Sequence, residues 1–113
     1  MRIKALIWVG PSLRDLRRLK SQVRQVIGYQ LFLVQLGQRP TDWKPMAIVG
    51  RGVEEIRIHS ELEHRVLYVA RFEEAVYVLH VFEKKTQKTP TAEIDVAKKR
   101  LASVMESRSR GGK

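Results

Sequence analysis

The chain has 113 residues, with 22 lysines and arginines against 12 aspartates and glutamates, a net charge of +10 and no cysteine. This length is typical of one domain, and the absence of cysteine excludes disulfides and thiolate metal sites. The basic balance favours nucleic acid over an anionic membrane, because no segment combines a wide apolar helical face with a basic one.

Two helices are predicted to follow a first strand. Residues 3–9 are rich in β-branched and aromatic side chains, which favours a strand, and the Gly-Pro pair after it ends the strand. Ser12 is a suitable helix N-cap, with Asp15 three residues further on. Apolar residues then recur at helical spacing on both sides of Ser21 and stop at Gly37, so we expect two helices joined near residue 20.

The middle of the chain predicts three strands after a loop. Residues 38–45 carry turn-forming residues and are predicted as a loop. Residues 53–59 alternate between apolar and polar side chains, which indicates a half-buried strand. Residues 64–72 form the next predicted strand. Residues 75–82 are apolar on both faces and therefore predict an interior strand.

A last helix is predicted from about Thr91. Thr89 and Pro90 suit its N-cap and first position, and an apolar stripe ends near Val104. We therefore expect a domain at residues 1–106 and a disordered basic tail at residues 107–113. The order β-α-α-β-β-β-α predicts an α+β fold, with a small twisted, mainly antiparallel sheet, helices packed on one face and the other face open to a ligand.

Basic residues recur on three of the predicted strands or just after them. Arg57 points away from the apolar face of its strand, and Arg65 and Arg71 share one face of the next strand by parity. Lys84 and Lys85 follow the interior strand. In an antiparallel sheet these five side chains are expected to converge on one surface, where arginine binds phosphate in a bidentate manner. For any one of them, simple solvation is the alternative.

Other residues of these strands are candidates for RNA contacts or proton transfer. Tyr68 and Phe82 offer rings on which an unpaired base stacks, although core packing is the alternative for both. Lys88 extends the basic segment as a further RNA contact. His80 and Glu55 are candidates for acid/base catalysis, with a satisfied core position as the alternative for His80.

RNA cleavage is a reaction that such a cluster supports without a cofactor. RNA carries its own nucleophile, the 2′-hydroxyl, and clustered cations stabilise the charge that develops on phosphorus. Crowding of cations also lowers a lysine pKa, so Lys84 or Lys85 becomes a candidate for proton exchange near neutrality. The three histidines lack ligand-like spacing and no glycine-rich phosphate loop is present, so no metal and no cofactor are predicted.

The apolar runs at residues 5–9 and 75–82 bear on location. The first is too short for the core of a secretory signal, and the second is too short to span a bilayer. We therefore expect a cytoplasmic protein with no membrane partner.

Four segments carry a family resemblance: EIRI at 55–58, HRVLYVARF at 64–72, VYVLHVFEKKTQKTP at 76–90 and EIDVAKKRL at 93–101. They resemble the HigB-like, phage-related branch of the RelE/ParE toxin superfamily, and the likeness extends over nearly the whole domain. The resemblance implies a RelE-like fold and the toxin role of a type II toxin–antitoxin pair. Most RelE- and HigB-type members cut mRNA on the ribosome, whereas ParE-type members inhibit DNA gyrase.

The resemblance also implies roles for single residues. Arg57, Arg65 and the pair Lys84–Lys85 match positions that hold phosphate and transition-state contacts in RelE-like nucleases. The tyrosine of that family near the start of the last helix has no counterpart here, because Thr91, Ala92 and Glu93 occupy its place. Glu55 stands where the family has a lysine.

The resemblance further implies three macromolecular partners. These are mRNA, the ribosome and a cognate antitoxin of the HigA-like, helix-turn-helix type, which would form a hetero-tetramer with the toxin. The leading hypothesis is therefore a ribosome-dependent, metal-independent mRNA endonuclease. The alternatives are a ParE-like inhibitor of gyrase and an RNA-binding module without catalysis.

Overall fold

The computed structural model describes residues 2–112. Within them, one five-stranded sheet has the order β1-β5-β4-β3-β2, in which β1 pairs with β5 in parallel and the other pairs are antiparallel. The predicted α+β class, with a mainly antiparallel sheet, is confirmed. The elements are β1 (Ala5–Trp8), α1 (Ser12–Arg17), α2 (Ser21–Gln35), β2 (Trp43–Pro45), β3 (Val53–His59), β4 (Glu63–Val69), β5 (Ala75–Glu83) and α3 (Thr91–Gly112).

Local sequence explains most of these boundaries. Gly37 has φ +82°, a conformation that other residues rarely adopt, and it ends α2 as predicted. Ser12 begins α1, but its buried hydroxyl donates to the Val78 carbonyl at 3.2 Å and does not cap the helix. The loop predicted for residues 38–45 is wrong at its end, because Trp43–Pro45 pairs with β3 as a short edge strand.

Helices cover both faces of the sheet, so the prediction of helices on one face is wrong. On the first face, here the α2 face, Ile27 and Leu31 pack against Val66 and other strand residues. On the second, the α3 face, Ala97 and its neighbours pack against Leu67. The physical reason is that alternate residues of β4 and β5 are apolar on both sides, so each side requires a cover.

A β-bulge in β5 changes which side chains face α3. Tyr68 of β4 pairs with Val78, and Leu67 pairs with His80, so Leu79 is the additional residue. Leu79 and Phe82 both belong to the cluster under α3. The bulge therefore places His80 on the α3 face. Strict alternation along β5 from Val78 would have placed it on the α2 face.

The last helix is longer than predicted. It continues to Gly112, so the prediction of a disordered tail is wrong for residues 107–112. The first residue of the predicted domain, Met1, and the last residue of the predicted tail, Lys113, lie outside the described residues. Arg108 explains the extension, because its Nε donates to Glu74 at 2.6 Å and its guanidinium lies 3.8 Å above the Phe72 ring. No helix in residues 2–112 is both long enough and apolar enough to cross a membrane.

Candidate functional site

An open cleft of about 730 Å³ lies where β3, β4 and the segment after β5 come together. It contains all four residues predicted as catalytic from the sequence, together with four others. Its lining consists of Arg57, His59, Glu63, Arg65, Lys84, Lys85, Thr86 and Gln87.

Strand register brings the cations of the cleft together. Arg57 of β3 is the direct cross-strand partner of Arg65 of β4. Both lie on the α3 face, because their neighbours in sequence, Ile56 and Val66, pack on the α2 face. The Lys84 amide donates to the Glu63 carbonyl at 2.8 Å, which holds the chain beside β4 for one residue beyond β5.

Arg65 is held from behind by two carboxylates. Its side chain is 3 % exposed, and its guanidinium nitrogens lie 3.0 Å from Glu63 Oε1 and 3.7 Å from Glu55 Oε1. Glu55 is fully buried, and its second oxygen accepts a hydrogen bond from the Thr89 hydroxyl at 3.2 Å. Glu55 is therefore placed as a counter-ion that joins Arg65 to the start of α3, and its burial argues against the predicted acid/base role.

Several other cations lie close to Lys84. Burial lowers the pKa of its ammonium group, and Arg65 is the next largest cause, with Lys44 and Arg57 adding to it. Lys44 Nζ is 4.0 Å from Glu55 Oε1, so Lys44 is a basic residue of this cluster that the sequence did not indicate. The pKa is lowered as predicted, but burial contributes more to this than the crowded cations on which the prediction rested.

Hydrogen-bonding capacity is left unused beside the cleft. The buried Nε of Arg57 has no hydrogen-bond partner among the described residues, and Arg65 Nε and Glu55 Oε1 face each other as an ion pair at 3.7 Å without a hydrogen bond. Buried polar atoms are normally satisfied, so an unsatisfied guanidinium nitrogen in a residue that lines the cleft makes Arg57 a candidate for ligand binding. Guanidinium donors of this kind match the oxygens of a phosphate.

His59 is a site residue to which the sequence analysis gave no role. Its Nδ1 lies 2.9 Å from Glu63 Oε1 and its Nε2 lies 2.5 Å from Asp42 Oδ2. These contacts raise the pKa of His59 above its ordinary value of 6.5, and the contact with Asp42 contributes more than the contact with Glu63. The signal was present in the sequence, because the alternation of residues 53–59 places His59 on the same face as Arg57.

Residues 14–102 match the protein family described as Phage derived protein Gp49-like. The chain belongs to this family. The Gp49-like chain also superposes on a solved structure of the Escherichia coli toxin RelE, a double arginine-to-alanine variant in the free state. The match has a TM-score of 0.66 and 24 % identity over 88 % of this chain and 98 % of that chain, and it shows a common fold. No curated protein matches the chain significantly.

Two residues predicted to contact RNA lie away from the cleft in the Gp49-like chain. Tyr68 is 1 % exposed, lies in the core on the α2 face and donates its hydroxyl to Glu54 at 2.7 Å. Arg71 follows the other end of β4, where its Nε donates to the Arg51 carbonyl at 3.1 Å. Parity failed for Arg71 because β4 ends at Val69, so alternation does not extend to it.

The remaining predicted residues are core or peripheral. Phe82 is 7 % exposed and stacks on His80 with 4.8 Å between ring centroids, so it packs in the core and does not offer a face to a base. His80 is also buried. Its Nε2 lies 2.6 Å from Glu93 Oε1, and its burial lowers its pKa despite this contact. Neither His80 nor the exposed Lys88 lines the cleft.

The acidic and imidazole groups of the Gp49-like chain do not form a metal-binding cluster among residues 2–112. Within the described range, no three histidine, aspartate or glutamate side chains come close enough to hold a metal ion. The residues that line the cleft can bind an anion through arginine and lysine, and can transfer a proton through His59 or Lys84.

Proposed function

We propose that this Gp49-like protein is the toxin of a type II toxin–antitoxin pair of the HigB-like branch. We further propose that it cuts mRNA on the ribosome without a metal ion. The observation that carries the proposal is the convergence of Arg57, Arg65, Lys84 and Lys85 in one open cleft. The RelE-like fold and membership of the phage-derived family support it.

The balance of charge in the cleft indicates a phosphate-bearing substrate. Four cationic side chains line it against the single carboxylate of Glu63, and that carboxylate is already shared between Arg65 and His59. Like charges at this density repel one another unless an anion neutralises them. A cleft that is open to solvent admits a strand of RNA, whereas a closed pocket would select a small ligand.

The proposed reaction uses the 2′-hydroxyl of the RNA as nucleophile. The 2′-oxygen forms a bond to the adjacent phosphorus, and its proton passes to the free amine form of Lys84. The bond between phosphorus and the 5′-oxygen breaks, the 5′-oxygen takes up a proton, and the products are a 2′,3′-cyclic phosphate and a 5′-hydroxyl. Arg57, Arg65 and Lys85 stabilise the negative charge on the non-bridging oxygens in the transition state.

The proposed partners follow from the same function. A helix-turn-helix antitoxin of the HigA-like type would neutralise the toxin and form a hetero-tetramer with it. The net charge of +10 favours an acidic binding surface on that partner.

Primer extension on a translated message in bacterial cells tests the proposal. Expression of the protein should produce new 5′ ends within translated regions and arrest growth. The double variant Arg57→Ala/Lys84→Ala should produce neither. The double variant Lys98→Ala/Lys99→Ala removes the same charge from exposed positions of α3 outside the cleft and should behave as the unaltered protein. Growth arrest with uncut messages would reject the nuclease and favour another toxic target.

A further inference from the structure

The reaction above leaves one proton without a source, and the cleft holds a group suited to supply it. We propose that His59 is the general acid that protonates the departing 5′-oxygen. This inference rests on the proposed function. His59 lies on the wall of the cleft, two residues from Arg57 on the same face of β3, so a phosphate bound by the arginines lies next to it.

Glu63 fixes the orientation of the imidazole. Its carboxylate lies 2.9 Å and 3.0 Å from His59 Nδ1, and the same carboxylate is 3.0 Å from an Arg65 guanidinium nitrogen. Because Arg65 is buried in the sheet, its ion pair with Glu63 anchors that carboxylate. A carboxylate on one imidazole nitrogen holds the ring in place and leaves the other nitrogen for the substrate.

Asp42 occupies that other nitrogen in the free protein. Its Oδ2 lies 2.5 Å from His59 Nε2, and its side chain is 40 % exposed. Glu63 is as exposed as Asp42 but also pairs with Arg65, whereas Asp42 has no second ion pair among the described residues, so Asp42 is the partner that the phosphate displaces. The Nε2 proton is then transferred to the 5′-oxygen as its bond to phosphorus breaks, which leaves a neutral imidazole and a free 5′-hydroxyl.

The charged neighbours of His59 keep this proton available. In the free protein, before the phosphate displaces Asp42, the two carboxylates raise the pKa of the imidazole, so a larger share of His59 enters the complex protonated near neutral pH than for an isolated histidine. A general acid is most effective when its pKa lies near the working pH. The charged groups that face His59 are Asp42 from the loop before β2, Glu63 and Arg65 from β4, Arg57 from its own strand, and Lys84 and Lys85 after β5.

A sulfur-substituted message separates a general acid from a structural role. Ribosomes are programmed with a short message in which sulfur replaces the 5′-oxygen at a cleavage site mapped by primer extension. Thiolate departs without protonation, so loss of a general acid should hardly affect this substrate. We expect His59→Gln to slow cleavage of the oxygen message by about 10²-fold or more and cleavage of the sulfur message by less than tenfold. Circular dichroism checks that the variant is folded.

The unaltered protein provides a second test that needs no variant. The ratio of the oxygen rate to the sulfur rate should be constant at low pH and should fall tenfold per pH unit above the pKa of His59. Any general base cancels in this ratio. A ratio independent of pH, or equal losses on both messages in His59→Gln, overturns the role of His59 while leaving the nuclease intact. Absence of cleavage by the unaltered protein overturns the proposed function itself, and this inference with it.

Discussion

Arg57 and Arg65 lie directly opposite each other on adjacent strands, with both side chains on the α3 face of the sheet. Like charges directly opposite each other destabilise a sheet. A pair of arginines in this position therefore points to a function that outweighs folding stability, which is the pattern expected of a phosphate site.

The first prediction is that Arg57→Ala loses activity without losing stability. Arg57 is half-buried and makes no ion pair among the described residues, so its removal relieves repulsion from Arg65. The melting temperature should stay the same or rise slightly, while cleavage should fall by about 10²-fold, as when one transition-state donor is lost. Thermal denaturation and primer extension measure the two effects. A folded variant that still cuts at the original rate would move the site elsewhere.

The second prediction is that Arg65→Ala destabilises the protein. Solvation was the alternative for each strand cation, but Arg65 is 2 % exposed and faces the fully buried Glu55. Removing it leaves the buried Glu55 carboxylate with only Lys44, at 4.0 Å, and the Thr89 hydroxyl as partners, at a cost of up to about 3–5 kcal/mol. Urea denaturation of Arg65→Ala, Glu55→Gln and the double variant should show that the double variant loses less than the sum. Additive losses would mean that the two side chains do not interact.

The difference between Arg57 and Arg65 shows where sequence patterns stop being informative. Parity along a strand correctly places Arg57, Arg65 and His59 on one face, because alternation is a property of the strand itself. It does not show how deeply each lies, because burial depends on α3, whose N-terminal end reaches the site through Thr89. Because Arg65 is buried against Glu55, it contributes to the stability of the fold as well as to the charge of the cleft.

Long-range geometry accounts for the other differences. Tyr68 was a plausible stacking residue because a β-strand aromatic looks the same whether its face is open or covered. Only the docking of α2 shows that its face is closed. The face on which His80 lies depends on the bulge at Leu79, and no local residue preference predicts that bulge. The order of the elements apart from β2 and the interior position of β5 were predictable, since continuous apolar runs and helical stripes are local.

The third prediction concerns the salt dependence of RNA binding. Each phosphate neutralised by the cleft releases counter-ions, so affinity for a single strand should fall as salt rises. Lys85 is exposed and lines the cleft, so Lys85→Ala should reduce the slope of log K against log salt by about 0.7. Filter binding of a non-cleavable 2′-deoxy strand over a salt series measures this slope. Lys99→Ala is the matched control, and an equal change in that variant would show that the effect is only one of net charge.

The fourth prediction is that α3 holds the β4–β5 turn in a pH-dependent way. Arg108 donates to Glu74 and lowers the pKa of that carboxyl to about 2, from an ordinary 4.5. A carboxyl with a lowered pKa stabilises the folded state above its unfolded pKa, and this contribution is lost as pH falls from 4.5 towards 2. The urea midpoint of the unaltered protein should therefore fall more steeply over that interval than that of Glu74→Gln. The group is largely exposed, so the effect should be small and should weaken in salt.

Arg110→Gln is the control for this prediction. It removes a charge of the same helix that pairs only with Glu106 in the described residues, and it should leave the acid dependence of the midpoint unchanged. Identical acid profiles for Glu74→Gln and the unaltered protein would show that the contact of Arg108 with Phe72, and not the ion pair, keeps the end of α3 in place.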